Sequence, residues 1–134
     1  NVKRYKKKIK KAIFQLNKKN IRVSLFIEPK KQDIKISKDL GAKCVELHTG
    51  NFCNLIKKNK KIVKSYYNLR NSAIYAKKIG LEVHAGHGLT YKSAKAISRI
   101  NQIIEFNIGH SVIAESLFIG LKNTIKKFKR IINN

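Results

Sequence analysis

Residues 81–90, LEVHAGHGLT, decide how the rest of the chain is read. Leu81, Val83 and Ala85 alternate with Glu82 and His84, the two-residue period of a strand. The alternation stops at Gly86. Gly86-His87-Gly88 then sets an imidazole between two residues without side chains, and Leu89-Thr90 leads into a helical run that Thr90 or Ser93 can cap. Glycines let a ligand approach the backbone, and a helix start offers free N–H groups to an anion. Gly-His-Gly alone fits an ordinary turn with an exposed histidine equally well.

The same strand-then-helix unit recurs on both sides. Upstream, a basic helix is expected over residues 3–19, with Ile9, Ile13, Phe14 and Leu16 as its apolar side. Strand 21–27 follows, with Val23, Leu25 and Ile27 on one face, and Glu28-Pro29 breaks it. A helix over 32–40 closes at Gly41, and strand 43–47 exits through His48-Thr49-Gly50. Residues 51–61 are rich in Asn and Lys and read as a loop with a short helical turn. A long helix over 62–79 repeats Ile62, Tyr66, Leu69, Ala73, Ala76 and Ile79 at steps of three and four, and ends at Gly80. Downstream come a helix over 92–99, strand 103–108, the Gly109-His110 exit and one long helix over 111–131.

The order is one helix and then four βα units. Alternating elements imply parallel strands with helices outside, so the class is α/β. The strands look apolar throughout, as strands buried on both faces do. Four βα units are half of a TIM (β/α)8 barrel. Alone they would leave two parallel edges exposed. The expectation is a single partial domain over 1–134, the carboxy-terminal half of such a barrel with the amino-terminal half absent. Pairing of two copies and a small open sheet are the alternatives. The chain lacks Met, which also reads as a piece of a longer product.

Formal net charge is +24. That invites a nucleic-acid reading. Lys (26), Ile (20) and Asn (13) dominate, however, while Arg numbers only 5. Phosphate-reading surfaces favour the bidentate Arg fork, and A/T-rich codons explain all three enrichments together. Solvated lysine faces are the preferred reading, with no specific nucleic-acid partner. Cys44 and Cys53 fit neither a disulfide framework nor a zinc spacing, which points to a reduced, cytoplasmic compartment. No apolar run reaches the roughly 18 residues that span a membrane.

The polar groups cluster by position. Glu46 lies within a strand, on the same face as Cys44 and His48. A carboxylate there is costly unless paired or used. His48, His87 and His110 each follow a strand, where parallel α/β folds gather their chemistry. His84 falls inside a strand and is expected to face a neighbouring layer or complete a local hydrogen bond. The loops at Gly86-His87-Gly88 and Gly109-His110 both open helices and suit a phosphate. The histidines lack metal-ligand spacing, so no metal is expected.

Four motifs carry a family resemblance: RVSLFIE (22–28), VELHTG (45–50), GLEVHAGHGLTY (80–91) and EFNIGHSVI (105–113). In order and spacing they resemble pyridoxine 5'-phosphate synthase, the deoxyxylulose-phosphate-dependent family of vitamin B6 biosynthesis. The resemblance runs from about Arg22 onward. It implies a barrel enzyme that condenses 1-deoxy-D-xylulose 5-phosphate with 3-amino-2-oxopropyl phosphate, giving pyridoxine 5'-phosphate, phosphate and water, without cofactor or metal. It implies His87 as proton donor and Glu46 as the group that stabilises the transition state. Gly88, Gly109 and His110 would bind the aminoketone phosphate. It implies a homo-oligomer, octameric in the family. The family's first-strand Asn/Asp/His motif and its proton-accepting His and Glu belong to an amino-terminal half that this sequence lacks. Smaller departures are His84 in place of Asn, and Glu28-Pro29 in place of Asp. A charge-driven phosphate- or nucleic-acid-binding module, and a degenerate inactive remnant, are the competing readings.

Overall fold

Apolar residues at every second strand position meet apolar residues at every third or fourth helix position, and this interlock builds the fold. The computed structural model describes residues 2–133. Four parallel strands, β1 (Ser24–Ile27), β2 (Cys44–His48), β3 (Glu82–Gly86) and β4 (Ile103–Asn107), form one sheet in sequence order. Among the described residues there are seven helices. They are α1 (Lys6–Lys18), α2 (Lys31–Asp39), α3 (Gly50–Lys57), α4 (Val63–Lys78), α5 (Tyr91–Ile97), α6 (His110–Ile119) and α7 (Leu121–Asn133).

One face of the sheet presents Ile27, Val45, Leu47, Val83 and Ala85, all buried, to Ile34 of α2, Leu69, Ala73 and Ala76 of α4 and Ile97 of α5. Fully burying a side chain such as Leu69 contributes roughly 1.5–3 kcal/mol. A smaller cluster of Ile13, Leu40 and Ala42 fastens α1 beside β1. The other face carries Phe26, Cys44, Glu46, His48, Glu82, His84, Glu105 and Asn107. Burial on both faces, which the composition suggested for all four strands, is approached only by the central β2 and β3, where Cys44 and His84 are buried; β1 and β4 are open on this side. Apolar residues fill the helix side, and the opposite side is largely polar.

Local chemistry sets the ends. Glycine with positive φ terminates α2 at Gly41 (92°) and α4 at Gly80 (76°). Thr90 and Ser93 form a reciprocal capping box at the start of α5. Two expected elements differ. Residues expected as a loop with a short helical turn instead contain the eight-residue α3, whose Phe52 and Cys53 are buried. The single helix expected over 111–131 is two, because Gly120 at φ 79° turns the chain between α6 and α7. The apolar spacing continues across Gly120 and hides the break. α7 then lies against α5, with the Tyr91 and Phe128 rings 4.3 Å apart.

Candidate active site at the carboxyl ends of the strands

Parallel pairing sets His48 of β2 opposite Gly86 of β3, so the exits of these strands leave side by side. Thr49 occupies the N-cap position of α3, yet its hydroxyl does not cap that helix. It lies 2.7 Å from the carbonyl oxygens of both Gly86 and His87, and its proton is shared between them. The Thr49 N–H also donates to the Gly86 carbonyl at 2.9 Å. Thr49 thus ties the neighbouring loop down in a left-handed conformation, with φ 77° at His87 and 76° at Gly88. Histidine tolerates that region better than most residues.

The glycines make room for specific neighbours. A Cβ on Gly86 would overlap Glu46 Oε1. A Cβ on Gly50 would lie 2.8 Å from His48 Nε2 and 2.9 Å from His87 Cδ2. Glycine at 50 therefore lets the two imidazoles approach to 4.7 Å between centroids. His48 is held from its other side by Glu28, with Nδ1 and Oε1 2.8 Å apart, and by the edge of the Phe26 ring. Glu46 accepts a hydrogen bond from Asn107 Nδ2 at 2.9 Å.

Glu46, His87, Gly88, Gly109 and His110 all line one cleft of about 1050 Å³. Phe26, Asn107, Lys57 and Lys92 also line it. Gly109 is the N-cap of α6 and offers no side chain, so the first-turn N–H groups of that helix lack a side-chain cap at the cleft edge. His48 stands outside the cleft, in a smaller depression with Glu28.

Comparison with known proteins matches the model of the family "Pyridoxal phosphate biosynthesis protein PdxJ" to residues 1–134. The chain belongs to the PdxJ family. It is 54% identical to the pyridoxine 5'-phosphate synthase of Pelagibacter ubique (strain HTCC1062), over 99% of this chain and 56% of that protein. It is 44% identical to the synthase of Sulfurihydrogenibium sp. (strain YO3AOP1), over 94% of this chain and 51% of that protein. With the synthase of Campylobacter fetus subsp. fetus (strain 82-40) the identity is 40%, over 92% and 57%. The chain spans about half the length of the curated relatives it matches.

In this PdxJ-family chain a second polar layer lies beneath the cleft, toward the strand starts. His84 shares a face with Glu46, its register partner on β2, instead of pointing into the helix layer. It is buried between Glu82 and Glu105, and Arg22 reaches both carboxylates. Cys44, fully buried beside them, has its thiol pushed up by burial, partly offset by Arg22 and reinforced by Glu82 and Glu105. No helix among the described residues is long and apolar enough to cross a membrane.

Several residues in or beneath the cleft escaped the reading of the sequence. Asn107 could have been found, because it continues the two-residue period of β4 onto the face of Glu46. Gly50 gave no such signal, and Thr49, read only as part of a motif that shapes the site, gave none of its anchoring role, since both roles depend on a neighbouring strand. Lys57 and Lys92 were hidden among many lysines.

Proposed function

We propose that the complete protein is a pyridoxine 5'-phosphate synthase, and that this chain forms the carboxy-terminal four βα units of its TIM (β/α)8 barrel, as a partial domain. Membership of the PdxJ family and relatives about twice as long support this reading. So does a parallel sheet whose helix-free face carries the polar groups. The observation that carries the functional part is the shared cleft: Glu46, His87 and the Gly109-His110 helix start face one space.

In this reading the substrates are 1-deoxy-D-xylulose 5-phosphate and 3-amino-2-oxopropyl phosphate. The products are pyridoxine 5'-phosphate, inorganic phosphate and water. Imine formation, dehydration, phosphate loss and ring closure each need a proton delivered or removed at a positioned site. His87, fixed by Thr49 through its own carbonyl, is the proton donor. The Glu46 carboxylate, oriented by Asn107, stabilises positive charge developing at the imine nitrogen. Gly88, Gly109 and His110 receive the aminoketone phosphate, with free N–H groups of α6 and the charges of Lys57 and Lys92 beside it. The proton acceptors of the reaction lie in the other half of the barrel. The exposed apolar residues Leu117 and Phe118 of α6 support burial against further protein, in keeping with a homo-oligomeric assembly. The two free cysteines suit a cytoplasmic setting.

The test uses protein made from the complete reading frame that contains this chain. With both phosphates supplied, it should release pyridoxine 5'-phosphate, detected by chromatography. His87→Asn suits the left-handed backbone, so it removes the imidazole with little strain. It should lower turnover by about 100-fold or more, the usual contribution of a general acid. Absence of product from the unaltered protein would overturn the synthase reading. Normal turnover in His87→Asn would overturn the role of His87 alone.

A further inference from the structure

We propose that Cys44, Glu82 and His84 form a binding site for one divalent cation of the zinc class, one layer beneath Glu46 on the polar face of the sheet. The strands bring these residues together: β2 and β3 pair Cys44 with Glu82 and Glu46 with His84. One ligand atom from each of the three lies within 4.8 Å of the others. Around a tetrahedral ion with bonds of about 2.0–2.3 Å, ligand atoms stand roughly 3.3–3.7 Å apart, so shifts of about 1 Å close the set.

His84 is the independent observation. The residue is only 2% exposed, and its Nε2 has no hydrogen-bond partner. Its nearest carboxylate oxygen, Glu82 Oε2, is 3.7 Å away, beyond hydrogen-bond range. The other ring nitrogen is 3.3 Å from Glu105 Oε1. With Glu105 on the Nδ1 side, Nε2 is the nitrogen left for a metal beside Glu82, an approach to the carboxylate–histidine arrangement that orients imidazole ligands on metals. Arg22 holds Glu82 through Oε2 and also reaches Glu105.

The donor set selects the ion. One sulfur, one imidazole nitrogen and one carboxylate oxygen suit zinc and similar first-row ions, whereas magnesium and calcium prefer all-oxygen sites. The charges also close. A thiolate and the Glu82 carboxylate balance a divalent ion, and Arg22 balances Glu105. On binding, the Cys44 thiol releases its proton to solvent.

The experiment titrates cobalt(II), a spectroscopic stand-in for zinc, into chelator-washed protein made from the complete reading frame. One equivalent should bind, with a thiolate-to-cobalt absorption band that zinc then displaces. Cys44→Ser should abolish the band, and Cys53→Ser should leave it intact. Glu105→Gln, which keeps all three ligands, should weaken binding by about 10–100-fold. If Cys44→Ser fails to fold, His84→Asn decides: lost binding with a native far-ultraviolet spectrum supports the site, and unchanged binding overturns it. The proposal is also overturned by no cobalt bound, or by a band that persists in folded Cys44→Ser. Either result would leave Arg22, Glu82, His84 and Glu105 as a closed ion-pair network without a cation.

Discussion

Gly86→Ala puts the geometry beneath the cleft to a quantitative test. Gly86 does not have positive φ, so alanine fits the backbone. By itself the change should stabilise by about 0.4–1 kcal/mol, through a less flexible unfolded chain. The added methyl, however, would overlap Glu46 Oε1, with Glu46 Cδ 2.9 Å and Asn107 Cβ 3.1 Å away. Overpacking of this kind costs about 1–3 kcal/mol. Glu46 can escape only by giving up the hydrogen bond from Asn107, worth about 1 kcal/mol at a half-exposed position. The net expectation is a loss of about 1–3 kcal/mol. Urea unfolding of the unaltered protein, Gly86→Ala, Glu46→Ala and the double variant reads it directly. In the Glu46→Ala background the main collision is gone, and Gly86→Ala should be close to neutral. Equal costs in both backgrounds, or a gain in the unaltered protein, would refute the claim that Gly86 exists to seat Glu46.

Three further outcomes are expected. Thr49→Val keeps the shape but leaves the Gly86 and His87 carbonyls without their shared donor. It should cost about 1–3 kcal/mol and speed amide exchange at residues 87 and 88, read by hydrogen-exchange mass spectrometry. Thr90→Ala removes the capping box of α5 and should cost about 1 kcal/mol, seen as a lower melting temperature. In chelator-washed protein, burial raises the Cys44 thiol above its ordinary value of 9.0. The fold therefore favours the neutral thiol. That stabilisation is complete below pH 9.0 and is lost as pH rises through the raised folded value. Denaturation midpoints measured from neutral to alkaline pH should fall less in Cys44→Ser than in the unaltered protein.

The strands and their order were legible because their signal is local. Val45 and Leu47, or Val83 and Ala85, announce a strand whatever lies beside it. The same period placed Cys44, Glu46 and His48 on one face, which the register bears out. Which face the helices cover was not legible. Short apolar strands such as Cys44–His48 look alike whether one face is buried or both. α3 was obscured by the Asn and Lys residues around Phe52 and Cys53, and Gly120 broke a helix whose apolar spacing ran on unchanged. The cleft was legible at Gly86-His87-Gly88 and Gly109-His110, where glycine marks the backbone. It was not legible at Gly50, whose missing side chain matters only because two imidazoles meet above it, and neither was the anchor beneath it, where the Thr49 hydroxyl serves another strand's loop. Cys44, Glu82 and His84 carry no spacing signal for the same reason: register, not sequence distance, brings them together.

The sheet order β1-β2-β3-β4 also bears on how the chain is made. Each of β2, β3 and β4 pairs with the strand synthesised just before it, and none of the three has to wait for a later segment to be inserted between its neighbours. Each βα unit can dock on the growing edge as it leaves the ribosome, so the ordering entropy is met in small local instalments. Emergence of β3 completes the Thr49 anchor, and emergence of β4 brings Asn107 to Glu46. A nascent chain stalled after α4 would present the β2 edge bare, a stage in need of a chaperone.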